Sequence, residues 1–197
     1  MKIISVTLES KLVRLEPLKL EHLADLFEAA SDESLWLWTT NVIKTREDML
    51  RYVETALGEA AKKTSVPFVT IEKSTGKIVG STRFGNIDAK NRRAEIGWTW
   101  VNSKYQRTAI NTEAKLLMLT HAFETWRCVR VELKTDALNE KSRKAILRLG
   151  AKEEGTLRQH MITDAGRFRD TVYFSIIDSE WQSVKDNLNE KLRSFLR

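Results

Sequence analysis

The residues of this chain that could do chemistry begin with a polar turn, Tyr105–Lys115 (YQRTAINTEAK), which leads directly into a long apolar helix. Asn111 and Thr112 are suitable N-caps, so we expect the amides of about residues 107–113 to converge at the helix start. The helix dipole favours negative charge at the same point, which makes the turn a candidate pyrophosphate site. A capped turn is also what any strand-to-helix connection needs, and the phosphate loops GxxxxGK(S/T) and GxGxxG are absent.

The elements that must position this turn follow from hydrophobic periodicity. Strands are predicted at 12–15, 66–72, 77–87, 93–101, 129–135, 155–163 and 170–177, and the order of the second to fourth implies an antiparallel sheet. Helices are predicted after Pro17, after a Thr45 cap with Asp48, at Thr112–Trp126, from Asn139 to a stop at Gly150, and in a terminal segment carrying Trp181 and Phe195. The helix at Thr112–Trp126 is apolar nearly all round, so we expect it to be buried at the centre of the fold.

Composition bounds the class of protein. With 197 residues, 42% hydrophobic content, two prolines and eight glycines, the chain fits one globular domain spanning residues 1–197. No apolar run approaches the roughly 20 residues that cross a bilayer, and Glu9 interrupts the N-terminal run, so we expect a soluble, cytoplasmic protein without a membrane partner. The net charge of +6 is spread along the chain, which favours an anionic small ligand or a solvated surface over nucleic acid.

Cysteine and histidine usage predicts no metal site. The single cysteine, Cys128, excludes an internal disulfide and a multi-cysteine zinc site, and we expect it to be structural. His22, His121 and His160 are far apart and show no metal-ligand spacing. His121 has many apolar neighbours on its predicted helix, which is typical of a core histidine.

The order of elements, the Gln106-x-x-Ala109-x-Asn111 turn and Asn139-x-x-Ser142 with Gly150 eight residues on together resemble the GNAT N-acetyltransferase superfamily over nearly the whole chain. The segments LVRLEPLKLEHL, AEIGWTWV and EGTLRQHMITDAGRFRDTVYFSI resemble its ribosomal-protein alanine N-acetyltransferase (RimJ/RimL-like) branch. The resemblance implies the α+β (mixed α/β) GNAT fold, with a central twisted, mostly antiparallel sheet of about seven strands flanked by helices. It also implies an enzyme that uses acetyl-CoA.

The resemblance assigns the cofactor site to the turn. The family pattern (Q/R)-x-x-G-x-(G/A) maps onto Gln106, Arg107, Thr108, Ala109, Ile110 and Asn111, whose amides, with Thr112 at the helix start, would bind the pyrophosphate. Alanine replaces the usual glycine at 109, and if its φ is positive it adds roughly 1 kcal/mol or more of strain. By resemblance, the Val101 amide would meet the thioester carbonyl, Asn139 the pantetheine, and Arg107, Arg143 and Lys144 the adenosine phosphates.

The reaction implied is direct attack of a neutral primary amine on the thioester, which needs a base and optionally an acid. In the family a glutamate on the 93–101 strand often serves as base, which points to Glu95. Strand alternation puts Gly97, Thr99 and Val101 on the face of Glu95 and Ala94, Ile96, Trp98 and Trp100 on the other. The alternative is an ordinary half-exposed carboxylate paired with Arg92 or Arg93.

Ser142 is the candidate acid, because Ile146 stands where many family members have a tyrosine. Its hydroxyl shares the inward helix face, and the alternative is a bond to the preceding turn. Trp36, Trp38 and His160 fall where the family binds its acceptor, although an aromatic pair more often packs than binds.

The leading hypothesis is an acetyl-CoA-dependent N-acetyltransferase acting on a peptide or protein N-terminus. The alternatives are an enzyme for a small amine, such as a polyamine or aminoglycoside, and a degenerate acyl-CoA-binding module. Nucleic-acid binding is raised only by the net charge. The family often forms dimers, so a homodimer is an open alternative.

Overall fold

The structure is a computed structural model that describes residues 1–195, over which one open sheet of eight strands is flanked by five α-helices. The strands are β1 Leu8–Glu9, β2 Val13–Pro17, β3 Val66–Glu72, β4 Lys77–Asp88, β5 Arg93–Val101, β6 Arg130–Asp136, β7 Lys152–Ile162 and β8 Phe168–Ile177. The helices are α1 Leu23–Ala29, α2 Arg46–Ala61, α3 Ala109–Thr120, α4 Glu140–Leu149 and α5 Trp181–Phe195. The last two residues of the expected domain lie outside the described residues. Within the described part, no helix has both the length and the apolarity that crossing a membrane requires.

The sheet has eight strands in the order β1-β2-β3-β4-β5-β6-β8-β7, not about seven as predicted. The additional strand is β1, whose two residues pair with β2 at Leu8↔Leu15 and Glu9↔Arg14. Two residues are too few for alternation to be visible in a sequence. All neighbouring pairs are antiparallel except β5 and β6. The predicted mixed, mostly antiparallel architecture is therefore confirmed.

Two helix starts differ from the prediction. Pro17 does not open a helix; it ends β2, where it pairs with Phe68, and α1 begins only at Leu23 after a short 3-10 turn. The next helix, α2, begins as predicted after Thr45, whose side chain and that of Asp48 cap each other's backbone amides. The third, α3, begins at Ala109 instead of Thr112 and passes into a π-helical turn at His121–Thr125.

Strand alternation divides the core between the two faces of the sheet. One face carries Phe68, Phe84, Ile96, Leu133 and Phe174 against residues of α3, α4 and α5 such as Met118, Ile146, Leu149 and Trp181. The other face carries Val69, Ile71 and Trp100 against α1 and α2. Burial of one such large side chain contributes roughly 1.5–3 kcal/mol, so both faces stabilise the sheet. The predicted burial of α3 is confirmed, with Met118 and Leu119 fully covered.

The pairing between β5 and β6 is parallel and short. It comprises three residue pairs, from Arg93↔Arg130 to Glu95↔Glu132. Beyond Glu95 the two strands carry no further pairs with each other among the described residues, so the sheet opens into a fork. The turn before α3 follows the free end of β5, and α4 follows the free end of β6. The fork therefore exposes backbone of the central strand next to two helix starts.

Candidate active site

A bulge in β5 shapes the fork. Residues 81–83 of β4 lie opposite residues 97–100 of β5, so β5 holds one extra residue, and Trp98 adopts a φ of +49°. The extra residue reverses strand alternation beyond it. A Cβ built on Gly85, the β4 partner of Glu95, would lie 2.2 Å from the Trp98 ring. Trp98 therefore lies on the face of Glu95, and the prediction that it occupies the opposite face is wrong.

Glu95 is buried at the point where the strands separate. It is 3% exposed; its Oε2 accepts a hydrogen bond from Asn86 Nδ2 at 2.7 Å and makes an ion pair with Lys134 Nζ at 3.0 Å. A Cβ on Gly97 would lie 2.8 Å from Glu95 Oε1, so glycine at that position gives the carboxylate room. The structure thus holds one carboxylate in a fixed position on the sheet, compensated by one ammonium.

The alternative surroundings predicted for Glu95 are not found. The carboxylate is neither half-exposed nor paired with Arg92 or Arg93. Arg93 instead makes ion pairs with Asp88 at 3.4 Å and with Glu132 at 3.3 Å. The true partner, Lys134, comes from β6, and a single sequence contains no signal for that cross-strand contact.

Aromatic rings and cations surround the Glu95–Lys134 pair. Lys134 Nζ lies 5.9 Å from the Trp98 ring centroid and 5.7 Å from that of Tyr173, within the range of cation–π attraction. The His160 ring lies 5.7 Å from Tyr173 in an edge-on arrangement. The predicted acceptor residue His160 is exposed and packs against Tyr173, which also lines the cleft at Glu95.

This face also holds a buried arginine. Arg83 is 2% exposed, and its guanidinium lies 5.0 Å from the Tyr52 ring and 4.9 Å from Trp98. Its Nη1 donates to Glu59 at 3.0 Å. The pair fixes α2 over β4, which walls one side of the site.

A cleft of about 880 Å³ reaches Glu95 from the surface. Its lining includes Asn86, Asp88, Glu95, Glu132, Leu157 and Tyr173. The cations Lys90 and Arg93 also line the cleft, so it carries both signs of charge beside the Tyr173 ring. Glu95 is therefore buried but accessible from one direction.

The turn before α3 is tied to β5 and to α4 through the side chain of Gln106. Gln106 Nε2 donates to the Val101 carbonyl at 3.0 Å, and Gln106 Oε1 accepts from Lys141 Nζ at 3.2 Å. Thr108, rather than Asn111 or Thr112, is the N-cap, and its hydroxyl accepts from the Ile110 amide at 3.3 Å. The predicted helix-start caps at 111 and 112 are wrong because α3 starts one turn earlier.

Left-handed backbone in this turn occurs at Arg107, with φ +62°, and not at Ala109. Ala109 is the first helical residue and is 6% exposed. The strain expected for alanine at a positive φ therefore does not arise. Alanine here costs the helix nothing, since it is the best helix former.

The residues of the turn fit a pyrophosphate. No acceptor among the described residues takes a hydrogen bond from the amides of residues 107–109, which precede the positive end of the α3 dipole. Asn111 Oδ1 is buried without a hydrogen-bond partner in the described chain. Free donors at a helix start and an unsatisfied polar group beside them are what an anionic ligand with polar linker groups would complete.

The start of α4 is as predicted. Asn139 is the N-cap and accepts from the Ser142 amide at 3.0 Å, and Gly150 ends the helix at φ +102°. Ser142 is half-buried and Ile146 is buried. The placement of Ser142 at the mouth of the fork is compatible with the acid role, which stays a prediction.

Two of the predicted phosphate contacts already have partners. Arg143 pairs with Glu153 at 3.3 Å, and Lys144 pairs with Glu140 at 3.1 Å on the open surface. Lys141, which the sequence did not single out, instead lies against the turn through Gln106. Arg107 is exposed on the turn itself. Arg107 and Lys141 are therefore better placed than Arg143 and Lys144 to contact a phosphate bound at the turn.

The two members of the predicted aromatic pair, Trp36 and Trp38, differ in burial and in their neighbours. Trp36 is 5% exposed, donates from Nε1 to the Ala30 carbonyl at 3.1 Å and packs 5.5 Å from the Trp100 ring, so burial favours the packing alternative. Trp38 is half-buried, and the Arg167 guanidinium lies 5.5 Å from its ring. Of the two rings, Trp38 is the one that contacts the β7–β8 turn, through Arg167.

Cys128 and His121 belong to the core, as their sequence surroundings indicate. Burial raises the pKa of the Cys128 thiol to about 11. The His121 ring packs 4.9 Å from Trp126, and burial lowers its pKa. Over residues 1–195, no group of three or more His, Cys, Asp or Glu side chains is arranged to hold a metal ion.

Several site residues were not predicted. Asn86, Lys134 and Tyr173 approach Glu95, and Arg83 and Arg169 are buried cations on the same face of the sheet. Strand alternation could have grouped Lys134 and Tyr173, but only once the order β5-β6-β8 was known.

Comparison with known proteins adds a family and several structures. Residues 13–152 match the family model described as acetyltransferase (GNAT) domain. The Bacillus subtilis (strain 168) protein named "Putative ribosomal N-acetyltransferase YdaF" is 36% identical over 110 residues, 56% of this chain and 59% of that protein. The chain thus spans about three fifths of the length of the first curated relatives it matches.

Two solved structures share the fold over nearly the whole chain. A GCN5-related N-acetyltransferase from Brucella melitensis has a TM-score of 0.89 and 32% identity, covering 96% of this chain and 86% of that one. Mycobacterium smegmatis RimJ in complex with CoA-disulfide has a TM-score of 0.79 and 25% identity, covering 95% and 93%.

Proposed function

We propose that this chain, which belongs to the GNAT acetyltransferase family, is an N-acetyltransferase that transfers an acetyl group from acetyl-CoA to the amine of a peptide or protein N-terminus. Over residues 1–195, its sheet of eight strands with five helices is the mixed α/β GNAT fold. The observation that carries the proposal is the buried Glu95 carboxylate at the fork between β5 and β6, reached by one cleft.

The fork and the turn before α3 would hold the cofactor. The free amides of residues 107–109 would bind the pyrophosphate, with Arg107 and Lys141 supplying positive charge. The edge of β5 that faces β6 has no strand pairs with β6 beyond Glu95, and its backbone up to Val101 would hydrogen-bond the pantetheine arm. RimJ, which is similar along 95% of this chain, binds a coenzyme A derivative, and this supports the same use here. Acetyl-CoA supplies an activated thioester and a thiolate leaving group.

Glu95 would receive the proton of the acceptor ammonium, directly or through a water molecule. The hydrogen bond from Asn86 and the ion pair with Lys134 both involve Oε2, so Oε1 is the oxygen without a partner among the described residues. Lys134 and Asn86 keep the carboxylate in one orientation, which reduces the reorganisation that proton transfer requires. Ser142 on α4 would supply the proton for the thiolate, which is a modest demand because thiols ionise readily.

The names of the relatives support a protein acceptor. YdaF is named as a ribosomal N-acetyltransferase, and RimJ belongs to the branch that the sequence resembles. A degenerate binding module is suggested by alanine at 109 and by the absence of a tyrosine at Ile146, and the first reason no longer holds because Ala109 is helical and unstrained. A small-amine acceptor remains the enzymatic alternative.

The test is an acceptor panel with the purified protein and acetyl-CoA. Thiol release would be followed for ribosomal-protein N-terminal peptides, spermidine and kanamycin, with mass spectrometry to locate the acetyl group. We expect acetylation at the peptide α-amine. Turnover confined to spermidine or kanamycin would move the function to small amines, and tight acetyl-CoA binding without turnover would favour a binding module.

A further inference from the structure

Arg169 on β8 is a buried cation without a matching partner. Its side chain is 9% exposed, and its Nε has no hydrogen-bond partner within the described chain. The neighbouring carboxylate oxygen, Asp136 Oδ2, lies 3.9 Å from Nε. That oxygen also accepts a hydrogen bond from Arg167. Two guanidinium groups therefore share one carboxylate, and Arg169 holds the weaker contact.

The charge on Arg169 cannot be removed by deprotonation. Burial lowers its pKa, while Asp136 and Glu95 act in the opposite direction, but a guanidinium remains protonated in proteins. A buried charge is retained when a hydrogen-bonded partner compensates it. Asp136 is fully buried and already bound to Arg167, so the compensation at Arg169 is incomplete. An oxygen from a ligand would complete it.

Strand register places Arg169 on the reacting face of the sheet. The β6–β8 pairs Lys134↔Tyr173 and Asp136↔Thr171 put these four residues on the face of Glu95. Arg169 is two residues before Thr171 and so shares that face. It lies close enough to Glu95 for the carboxylate charge to affect its pKa.

We propose that Arg169 donates hydrogen bonds to an oxygen of the acceptor and thereby selects an α-aminoacyl group, in which the amine and a carbonyl or carboxylate are on the same carbon. The inference rests on the proposed function, because Glu95 must hold the amine. Lys134 contacts the Glu95 carboxylate, and Asp136 contacts the Arg169 guanidinium. Lys134 and Asp136 are two positions apart on β6, which is about 7 Å along a strand. An α-aminoacyl group with a hydrogen bond of about 2.8 Å at each end spans a similar length.

The same arrangement selects against polyamines. A second ammonium near the first would approach Arg169 and Arg167, which outnumber the single carboxylate of Asp136. Like charges facing each other in a buried site disfavour binding strongly. Arg169 would therefore separate the peptide and polyamine classes of acceptor.

The test compares three amines of similar size: alaninamide, which offers a carbonyl, free alanine, which offers a carboxylate, and sec-butylamine, which offers no oxygen. Each is assayed with wild type, Arg169→Met and the control Arg148→Met, an exposed arginine on α4. We expect Arg169→Met to lower kcat/KM for the oxygen-bearing amines by about 30-fold or more, the usual effect of losing a charged hydrogen bond. The value for sec-butylamine should change by less than about threefold.

The outcomes separate the inference from the function on which it depends. If wild type is inactive on all three amines and on N-terminal peptides, the proposed function is rejected. If wild type is active and Arg169→Met lowers kcat/KM by the same factor for all three amines, Arg169 does not bind the acceptor oxygen and its role is structural. A larger loss of kcat/KM with alanine than with alaninamide identifies a carboxylate as the group that Arg169 binds. A larger loss with alaninamide identifies a peptide carbonyl as that group. If Arg169→Met does not fold, Arg169→Lys keeps the charge, removes the planar fork and gives the same comparison.

Discussion

At the scale of single residues, the Glu95 carboxylate combines burial with a fixed orientation. Asn86 donates to Oε2, Lys134 makes an ion pair with the same oxygen, and Gly97 leaves space beside Oε1. With Oε2 occupied, Oε1 is the oxygen that an incoming amine would meet. The site therefore depends on one oxygen of one side chain.

Replacing Glu95 tests that dependence. Glu95→Gln keeps the shape but removes the proton acceptor, so we expect kcat to fall by about 10²- to 10⁴-fold. The measurement is the acetylation rate from pH 6 to 9, with Glu47→Gln on the exposed first turn of α2 as the control. If Glu95→Gln acetylates the acceptor at the wild-type rate throughout pH 6 to 9, the base role is rejected.

At the scale of elements, the turn into α3 shows what periodicity can and cannot predict. The apolar pattern located α3 and the Asn139 cap located α4. Left-handed backbone at Arg107 and Trp98 carries no sequence signal, because neither residue is glycine. The start of α3 was therefore misplaced by three residues, and Trp98 was assigned to the wrong face.

The Ala109 backbone conformation predicts how glycine would behave at this position. Because Ala109 is helical, Ala109→Gly should not improve coenzyme A affinity, and it should lower stability by up to about 1 kcal/mol. Arg107→Gly is the matched comparison, because relief of its positive φ should offset part of the entropy of glycine. Calorimetric binding and urea denaturation measure the two effects. Tighter coenzyme A binding by Ala109→Gly would contradict the assigned backbone.

The contacts that define the site were beyond sequence reasoning for a common reason. Glu95 was predicted as a candidate, but its partner Lys134 is on a strand brought alongside by the parallel β5–β6 pair. Arg169 belongs to β8, which reaches the same face only through β6. Local periodicity does not encode the order of strands in a sheet. The fold class and the ends of most elements could be predicted, whereas these tertiary pairs could not.

At the scale of the whole molecule, Lys115 lies between α3 and the sheet with no carboxylate within ion-pair distance in the described chain. Its Nζ donates to Thr99 Oγ1 at 2.6 Å and to Thr82 Oγ1 at 3.0 Å. Burial lowers its pKa from 10.5 to about 7. Below about pH 7 the lysine is charged in both states, and folding carries the full desolvation penalty. Between about pH 7 and 10.5 the folded chain has lost a proton that the unfolded chain keeps, so stability rises with pH.

Lys115→Met should remove this dependence. We expect the free energy of unfolding of wild type to rise relative to the variant between pH 6 and pH 8.5, approaching a difference on the order of 2 kcal/mol. Urea denaturation at both pH values measures it, with Lys62→Met, an exposed substitution after α2, as the control. Parallel curves for wild type and Lys115→Met would show that the amine is not buried as described.

The three-pair ladder between β5 and β6 has a consequence for how the molecule opens. Strands β1–β5 are joined by antiparallel ladders, and so are β6–β8, but this short seam is the sheet's connection between the two groups. Sub-global opening follows the weakest boundary between cooperative units. We expect native-state hydrogen exchange to divide the sheet into two foldons at the seam, with slowed exchange of its amides when coenzyme A bridges the fork. The boundary at which the two groups of strands separate during sub-global opening would then lie at the catalytic cleft.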